Sequence, residues 1–350
     1  MGGLADTAPI RDEERFDEAR VADYLRSVFP ELASAGIEFE QFPGGKANLT
    51  YLARAGDREL VLRRPPLGPV APGSHDMARE YRVLSLLYRL FPKAPRAFHF
   101  CEDPEIMGKP FFVMERRRGY VVREQWPGSL PDSDQFRRIV AEHLADTLAE
   151  LHLVDFASIG LADLGRPEGF VARQVEGWTD RWELAKTQNT EAMNDLCRVL
   201  AGRLPAPQAA TLLHNDYKLD NLMIGDDGQV VAVFDWDMAT TGDPLVDLGT
   251  ALSYFAGPDD PTYPIFGVQA FTLAPYLTKD EFVQRYAART GFDLSDLRFY
   301  EALAMFRITV IIQQIYVRYV RGQTTDERFA DLGEMVPELA RAALELAKEL

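Results

Sequence analysis

The sequence predicts an α+β chain in two parts, a strand-rich first third and a helix-rich remainder. Three observations predict it. Between Ile37 and Arg63 the runs IEFEQF, NLTYLARA and RELVLR alternate apolar and polar residues and are separated by PGGKA and AGD turn signals, the period-two pattern of a sheet. Later, Phe136, Ile139, Val140, Leu144, Leu148 and Leu151 recur at three-and-four spacing, which marks a helix packed on one face. The chain is 350 residues long and 47% hydrophobic, enough for two sizeable cores. The expected division is an N-terminal lobe over 1–115 and a C-terminal lobe over 116–350.

In chain order, residues 13–29 read as an amphipathic helix ahead of the three strands. A proline- and glycine-rich loop, RPPLGPVAPGS (64–74), leads into a helix from Asp76 to Leu90, whose apolar residues recur at Val83, Leu84, Leu87 and Leu90. Glu80 lies on its first turns. RAFHFCED and FFVMERR give two more strands, and Met114, Glu115 and Arg116 mark the passage to the second lobe. Most of 170–204 and 279–350 also reads as helix. No internal repeat or low-complexity segment is visible.

Composition narrows the function classes. A formal charge of −16 disfavours a nucleic-acid or anionic-membrane partner, because a polyanion is repelled and no basic tract compensates. Cys101 and Cys197 stand far apart without a CxxC pattern, so neither a disulfide framework nor a zinc site is expected. The opening MGGLADTAPIRDEERF has no apolar core and is acid-rich, unlike a secretory or mitochondrial leader, so a cytoplasmic location is expected. The most apolar segment, Ile308 to Val317, contains Gln313 and Gln314 and reads as too short and too polar to span a bilayer.

The run LLHNDYKLDNLMIGDDGQVVAVFDWDMATTGDPLVDLG, Leu212 to Gly249, carries the chemistry. Asp216 is followed by Asn221 at the interval of the HRDxxxxN catalytic loop, and Asp235 ends an apolar strand-like run. A hydroxyl attacking the γ-phosphate of ATP needs a carboxylate to orient it and accept its proton, the role that falls to Asp216. The triphosphate arrives with Mg²⁺, which takes hard oxygen ligands, usually one or two of them from protein, here Asn221 and Asp235. NLMI, the turn Gly225-Asp226-Asp227-Gly228 and VVAVF read as a hairpin with these two residues at its ends. Asp243 and Asp247 read as capping the next helix and bracing the catalytic loop. PGGKAN, with Gly44, Gly45 and Asn48, stands where a phosphate-covering loop belongs between two strands, though a GG turn is also ordinary hairpin chemistry. The chain contains no GxxxxGK[ST], which disfavours a P-loop NTPase.

The words HNDYKLDN (214–221) and FDWDMATTGDPLVDLG (234–249) resemble the signatures of the aminoglycoside phosphotransferase (APH) family, a small-molecule branch of the protein-kinase-like fold. PGGKANLTYLARAGDRELVLRRPP (43–66) and AREYRVL (78–84) are similar to the branch found as the kinase-like domain of acyl-CoA dehydrogenase fusions. The resemblance covers about residues 30–325. It implies a bilobal α+β fold, with an antiparallel sheet and helix in the small lobe and a mostly helical large lobe. It also implies Asp216 as base, Asn221 and Asp235 as Mg²⁺ ligands, and Arg63 in the place of the usual nucleotide-binding lysine with Glu80 as its partner. Arg63 and Arg64 are adjacent, and strand alternation allows only one of them to face the nucleotide. Backbone at Met114, Glu115 and Arg116 would meet the adenine edge.

ATP and Mg²⁺ are the implied cofactors, and the implied partner is a small-molecule hydroxyl. The branch points to a hydroxyacyl-CoA or related hydroxy acid, with aminoglycoside, macrolide, choline-like or homoserine-like acceptors as alternatives. The chain departs from protein kinases where Trp236 and Asp237 replace the Phe and Gly of DFG, and no APE motif follows. Without that segment a peptide acceptor is disfavoured. A non-catalytic ATP-binding pseudokinase is the reading from another class, disfavoured because Asp216, Asn221 and Asp235 are all present. Trp178, Trp182, Tyr254, Arg307, Gln314 and Arg318 are candidates for lining the acceptor site, against a competing role in packing.

Overall fold

The computed structural model describes residues 6–43, 48–68, 75–123, 125–188, 190–255, 276–324 and 326–348. The chain divides into two compact units, Met1–Arg118 with Ala232–Ala239, and Gly119–Val231 with Thr240–Leu350. Asp235, placed in the C-terminal lobe by the sequence reading, therefore packs with the first unit. Two contacts hold its segment there: Val233 N donates to Lys93 O at 2.9 Å, and the buried Trp236 ring meets Phe91 edge-on.

The first unit contains α1 (Glu18–Val28), β1 (Glu38–Gln41), β2 (Leu49–Ala55), β3 (Arg58–Arg64), α2 (Met77–Leu87), β4 (Ala97–Cys101), α3 (Pro104–Met107) and β5 (Phe111–Glu115). Its antiparallel sheet has the order β1-β2-β3-β5-β4. Alternation sends Tyr51, Ala53, Leu60, Leu62 and Val113 into one core with Val21 and Leu25 of α1. Against β4 and β5 packs α2, through Val83, Leu84 and Leu87. Both helices are shorter than their sequence patterns. Asp17 caps α1 by accepting from Arg20 N, so the helix starts there and residues 12–14 form a separate 3₁₀ turn. Asp76 caps α2 in the same way, and α2 ends at Leu87.

The second unit is mostly helical. It contains β6 (Tyr120–Val121), α4 (Asp134–His152), α5 (Phe170–Ala185), α6 (Glu191–Gly202), β7 (Thr211–Leu213), β8 (Leu222–Ile224), β9 (Val230–Val233), β10 (Thr240–Gly242), α7 (Pro244–Tyr254), α8 (Lys279–Thr290), α9 (Leu297–Val320) and α10 (Leu332–Lys348). The expected hairpin is present as β8 and β9, closed by Gly225 N donating to Gln229 O, and β9 carries the chain toward the first unit. The apolar run 308–317 belongs to the 24-residue helix α9, which is long and apolar enough to cross a membrane by those measures. It is nevertheless buried along most of its length, Arg307 and Gln313 included, between α5, α6, α7 and α10. A Cβ at Gly249 would stand 2.6 Å from Tyr300 O, so the approach of α7 to α9 requires glycine there. The β7–β10 ribbon was not legible in the sequence, since its strands are three residues each.

Candidate active site

In the first unit, strand alternation decides between the two adjacent arginines. Arg63 Nε donates to Glu80 Oε2 at 2.9 Å, and its Nη2 donates to Asp235 Oδ1. Arg64 points to the opposite face, where it is 1% exposed and donates to Tyr51 Oη, Glu14 O and Met107 O. Arg63 is thus the guanidinium that joins Glu80 of α2 to Asp235. Burial lowers its affinity for its proton, but Glu80 and Asp235 together hold it above the ordinary value. Burial pushes the Glu80 carboxyl up to about 7. Arg63 pulls it down, and Asp235 and Asp237 push it up.

Asp235 itself adopts left-handed backbone, φ 68°. Such a conformation in a non-glycine residue persists only where its surroundings fix it. Next to it, Trp236 N donates to Glu80 Oε1 at 3.3 Å and its indole Nε1 to Val233 O at 2.8 Å, so the residue in place of the DFG phenylalanine anchors the turn in the core. Asn48 Nδ2 is 3.5 Å from Asp235 Oδ1, and Asn48 Oδ1 is 2.9 Å from His75 Nδ1. His75, also left-handed at φ 58°, was missed by the sequence reading because the run before it, rich in proline and glycine, carries no periodic pattern. Gly44 and Gly45 lie outside the described residues. Met114 and Glu115 are paired within the sheet to Val61 and Leu60, so only Arg116 of the three adenine-edge residues lies beyond the register of β5. The Arg116 side chain pairs with Asp6 and lies 4.6 Å over the Phe42 ring.

The second unit holds Asp216 on a braced loop. His214 N and Asn215 N donate to the two oxygens of Asp247 at 2.7 and 2.8 Å, and His152 Nε2 is 3.2 Å from the same carboxylate. Burial pushes the Asp247 carboxyl up, but the hydrogen bond and charge of His152, with His214, outweigh it and hold it below the ordinary value. Asn215 takes left-handed backbone, φ 65°, which turns the chain out of β7. Asp243 caps α7 through Leu245 N at 3.0 Å and also accepts from Gln208 N and Tyr300 Oη. From sequence both aspartates read as capping and bracing; the structure divides them, with Asp243 as the cap and Asp247, inside α7, as the brace of the catalytic loop.

Three donors aim the Asp216 carboxylate. Asn221 Nδ2 and Lys218 Nζ each reach Oδ2 at 2.8 Å, and Tyr254 Oη donates to Oδ1 at 3.0 Å. Asn221 Nδ2 also donates to Asp216 O at 2.9 Å, so the amide nitrogen faces the loop and the carbonyl oxygen is the donor atom suited to a hard cation. Lys218 was not singled out from sequence, although it stands two residues after Asp216 in HNDYKLDN. Tyr254 was singled out only as a lining residue. Among the described residues no three of His, Cys, Asp and Glu gather to hold a metal, so there is no all-protein cage there.

The family model APH, "Phosphotransferase enzyme family", matches residues 38–300. The chain belongs to the APH family. Membership makes it a small-molecule phosphotransferase with an alcohol group as acceptor. The APH chain is 31% identical over 349 residues to acyl-CoA dehydrogenase family member 10 of Mus musculus, covering 99% of this chain and 32% of that protein. It is also 31% identical to member 11 of Gallus gallus, covering 98% and 45%. It therefore spans less than half the length of these curated relatives. A Ralstonia eutropha crystal structure assigned to the aminoglycoside phosphotransferases is 30% identical with a TM-score of 0.82, covering 96% of this chain and 99% of that one. Choline kinase of Cryptosporidium parvum, at 12% identity and a TM-score of 0.64, covers 95% of this chain and 96% of its own, and shares the kinase-like bilobal α+β fold.

Proposed function

We propose that this APH-family chain transfers the γ-phosphate of ATP to a hydroxyl of a small molecule, with Mg²⁺. The observation that carries the reading is the Asp216 carboxylate, aimed by Tyr254, Asn221 and Lys218 on a loop that Asp247 braces from within the core. A carboxylate so fixed is pre-set to orient an acceptor hydroxyl and accept its proton. The acceptor oxygen bonds to the γ-phosphorus, its proton passes to Asp216, and the bond to the β,γ-bridging oxygen breaks, releasing ADP. Lys218 offsets charge beside the base.

Asn221 through its carbonyl oxygen and Asp235 through its carboxylate are the residues that would hold Mg²⁺, and both present oxygen, the donor type Mg²⁺ prefers. When bound, the ion supplies charge neutralisation of the phosphates. Arg63, fixed by Glu80, is the cation this chain offers to the nucleotide. The curated relatives are named as acyl-CoA dehydrogenase family members, which supports a hydroxyacyl-CoA or related hydroxy acid as acceptor over an aminoglycoside or choline.

The test is ATP consumption with product mass analysis across 3- and 4-hydroxyacyl-CoAs, hydroxy acids, aminoglycosides, macrolides and amino alcohols, with Asp216→Ala as blank. A gain of one phosphate on one acceptor class, absent from the blank, is the expected result. Full turnover by Asp216→Ala would overturn the assignment of the base.

A further inference from the structure

Arg307 on α9 is buried, 6% exposed, yet among the described residues no carboxylate stands within ion-pair distance of it. Its hydrogen bond runs from Nη1 to Thr250 Oγ1, 3.2 Å away on α7. The guanidinium carbon stands 5.5 Å from the Trp178 ring centre, and that of Arg181 stands 4.6 Å from the same centre. Two cations therefore share one indole of α5. Burial pulls the Arg307 guanidinium down from its ordinary value. Tyr254, Asp247 and Asp216 oppose the downward shift and Arg181 reinforces it. Thr250 stands one turn before Tyr254 on α7, and Tyr254 Oη donates to Asp216 Oδ1, so α7 joins Arg307 to the base.

Neither aspartate serves Arg307 as a counter-ion. Asp247 is engaged by two backbone N–H groups and His152, and Asp216 by Tyr254, Asn221 and Lys218. A buried guanidinium without a carboxylate partner costs stability, and a group of opposite charge brought in by a ligand would offset that cost. Arginine also presents a planar fork that matches a carboxylate or phosphate with two parallel hydrogen bonds.

We propose that Arg307, with Trp178 and Arg181 beside it, forms a subsite for a compact anionic group, a carboxylate or phosphate, carried by the same molecule whose hydroxyl meets Asp216. This rests on the phosphotransfer reading for the role of Asp216 and extends it to the acceptor's charge. A cationic acceptor would meet two guanidinium groups and Lys218, so the second unit disfavours amino sugars and quaternary amines here. The net charge of −16 does not oppose this, because the local field near Asp216 is set by these neighbours.

The test compares a short 4-hydroxycarboxylate, its neutral amide, the matched amino alcohol and inorganic phosphate, using wild type, Arg307→Gln and Arg307→Lys. Binding is measured calorimetrically in the presence of Mg-ADP, and turnover is measured in parallel with ATP. Wild type is expected to favour the carboxylate over its amide by about tenfold or more. Arg307→Gln should bring the two within about twofold through KM, and Arg307→Lys should keep part of the preference. Arg307→Gln should melt no lower than wild type, since no carboxylate among the described residues pairs with the charge it removes.

Equal loss of acid and amide in Arg307→Gln, unchanged carboxylate binding in that variant, or a wild-type preference for the amide or amino alcohol would each overturn the subsite. A binding preference that depends on Arg307 but comes without turnover would support the subsite and count against phosphotransfer. Turnover without any preference would do the reverse. Loss of phosphate binding together with carboxylate binding in Arg307→Gln identifies a general anion site, and retention of phosphate binding narrows it to carboxylates.

Discussion

The Asp235 centre of the first unit and the Asp216 centre of the second hold their carboxylates in different ways. Asp235 shares one guanidinium, Arg63, with the buried Glu80 and sits on left-handed backbone. Asp216 is aimed by a phenol, an amide and an ammonium, and the backbone leading into it is fixed from below by Asp247. The first arrangement crowds several acidic groups around one cation, so bringing in a further cation relieves a local excess of negative charge. The second fixes the direction of lone pairs, which proton transfer requires. On the proposed function, the comparison teaches a division of labour: charge storage for the metal nucleotide in one unit, orientation of the acceptor in the other.

The comparison can be broken by removing what supports each centre. The largest effect on stability is expected from Asp247→Ala, which strands the buried N–H groups of His214 and Asn215 and the ring of His152. Roughly 3–5 kcal/mol should be lost, read as a lower denaturation midpoint, and a loss below about 1 kcal/mol would contradict the bracing role. Next comes Arg63→Met, expected to weaken Mg-ATP binding about 10–100-fold by freeing the partners of Asp235, with Arg63→Lys intermediate. Calorimetry measures both, and equal affinity in all three proteins would remove Arg63 from the nucleotide side.

Smaller effects sharpen the contrast. Tyr254→Phe deletes one hydrogen bond to Asp216 and should lower kcat about tenfold with Mg-ATP affinity unchanged, whereas a parallel loss of affinity would show that the centres are not separable. The smallest effect concerns pH. The folded-state value of Glu80 is raised from 4.5 to about 7, so its contribution to stability is fully present below about 4.5 and is lost as pH rises through about 7. Glu80→Gln, which cannot ionise, should melt with a flatter pH dependence over that window, and an unchanged slope would place the titration elsewhere.

Much of this was legible in the sequence because it rests on local pattern. The strands β1 to β3 declared themselves by alternation, and the same alternation foresaw that Arg63 and Arg64 would turn to opposite faces. The hairpin β8–β9 followed from its Gly-Asp-Asp-Gly turn. What sequence could not give were properties set by distant partners. Helix α1 starts at Asp17 because a side chain caps it there, although the amphipathic pattern extends further back. The ribbon β7–β10 pairs segments of three residues, too short to show a period. Asp235 packs with the first unit because Trp236 inserts beside Phe91, a contact far apart in sequence. The partner of Asp216 from α7, Tyr254, and the burial of Arg307 on α9 against Thr250 and Trp178 are tertiary facts that helical spacing does not encode.

The most direct measurement titrates Mg-ATP into Asp216→Asn and Asp235→Asn by calorimetry and assays phosphate transfer in both. The account predicts that Asp216→Asn binds Mg-ATP within about threefold of wild type while transfer falls at least about 100-fold, and that Asp235→Asn loses both binding and transfer. Nucleotide binding lost in Asp216→Asn, or transfer retained in Asp235→Asn, would contradict the division of labour.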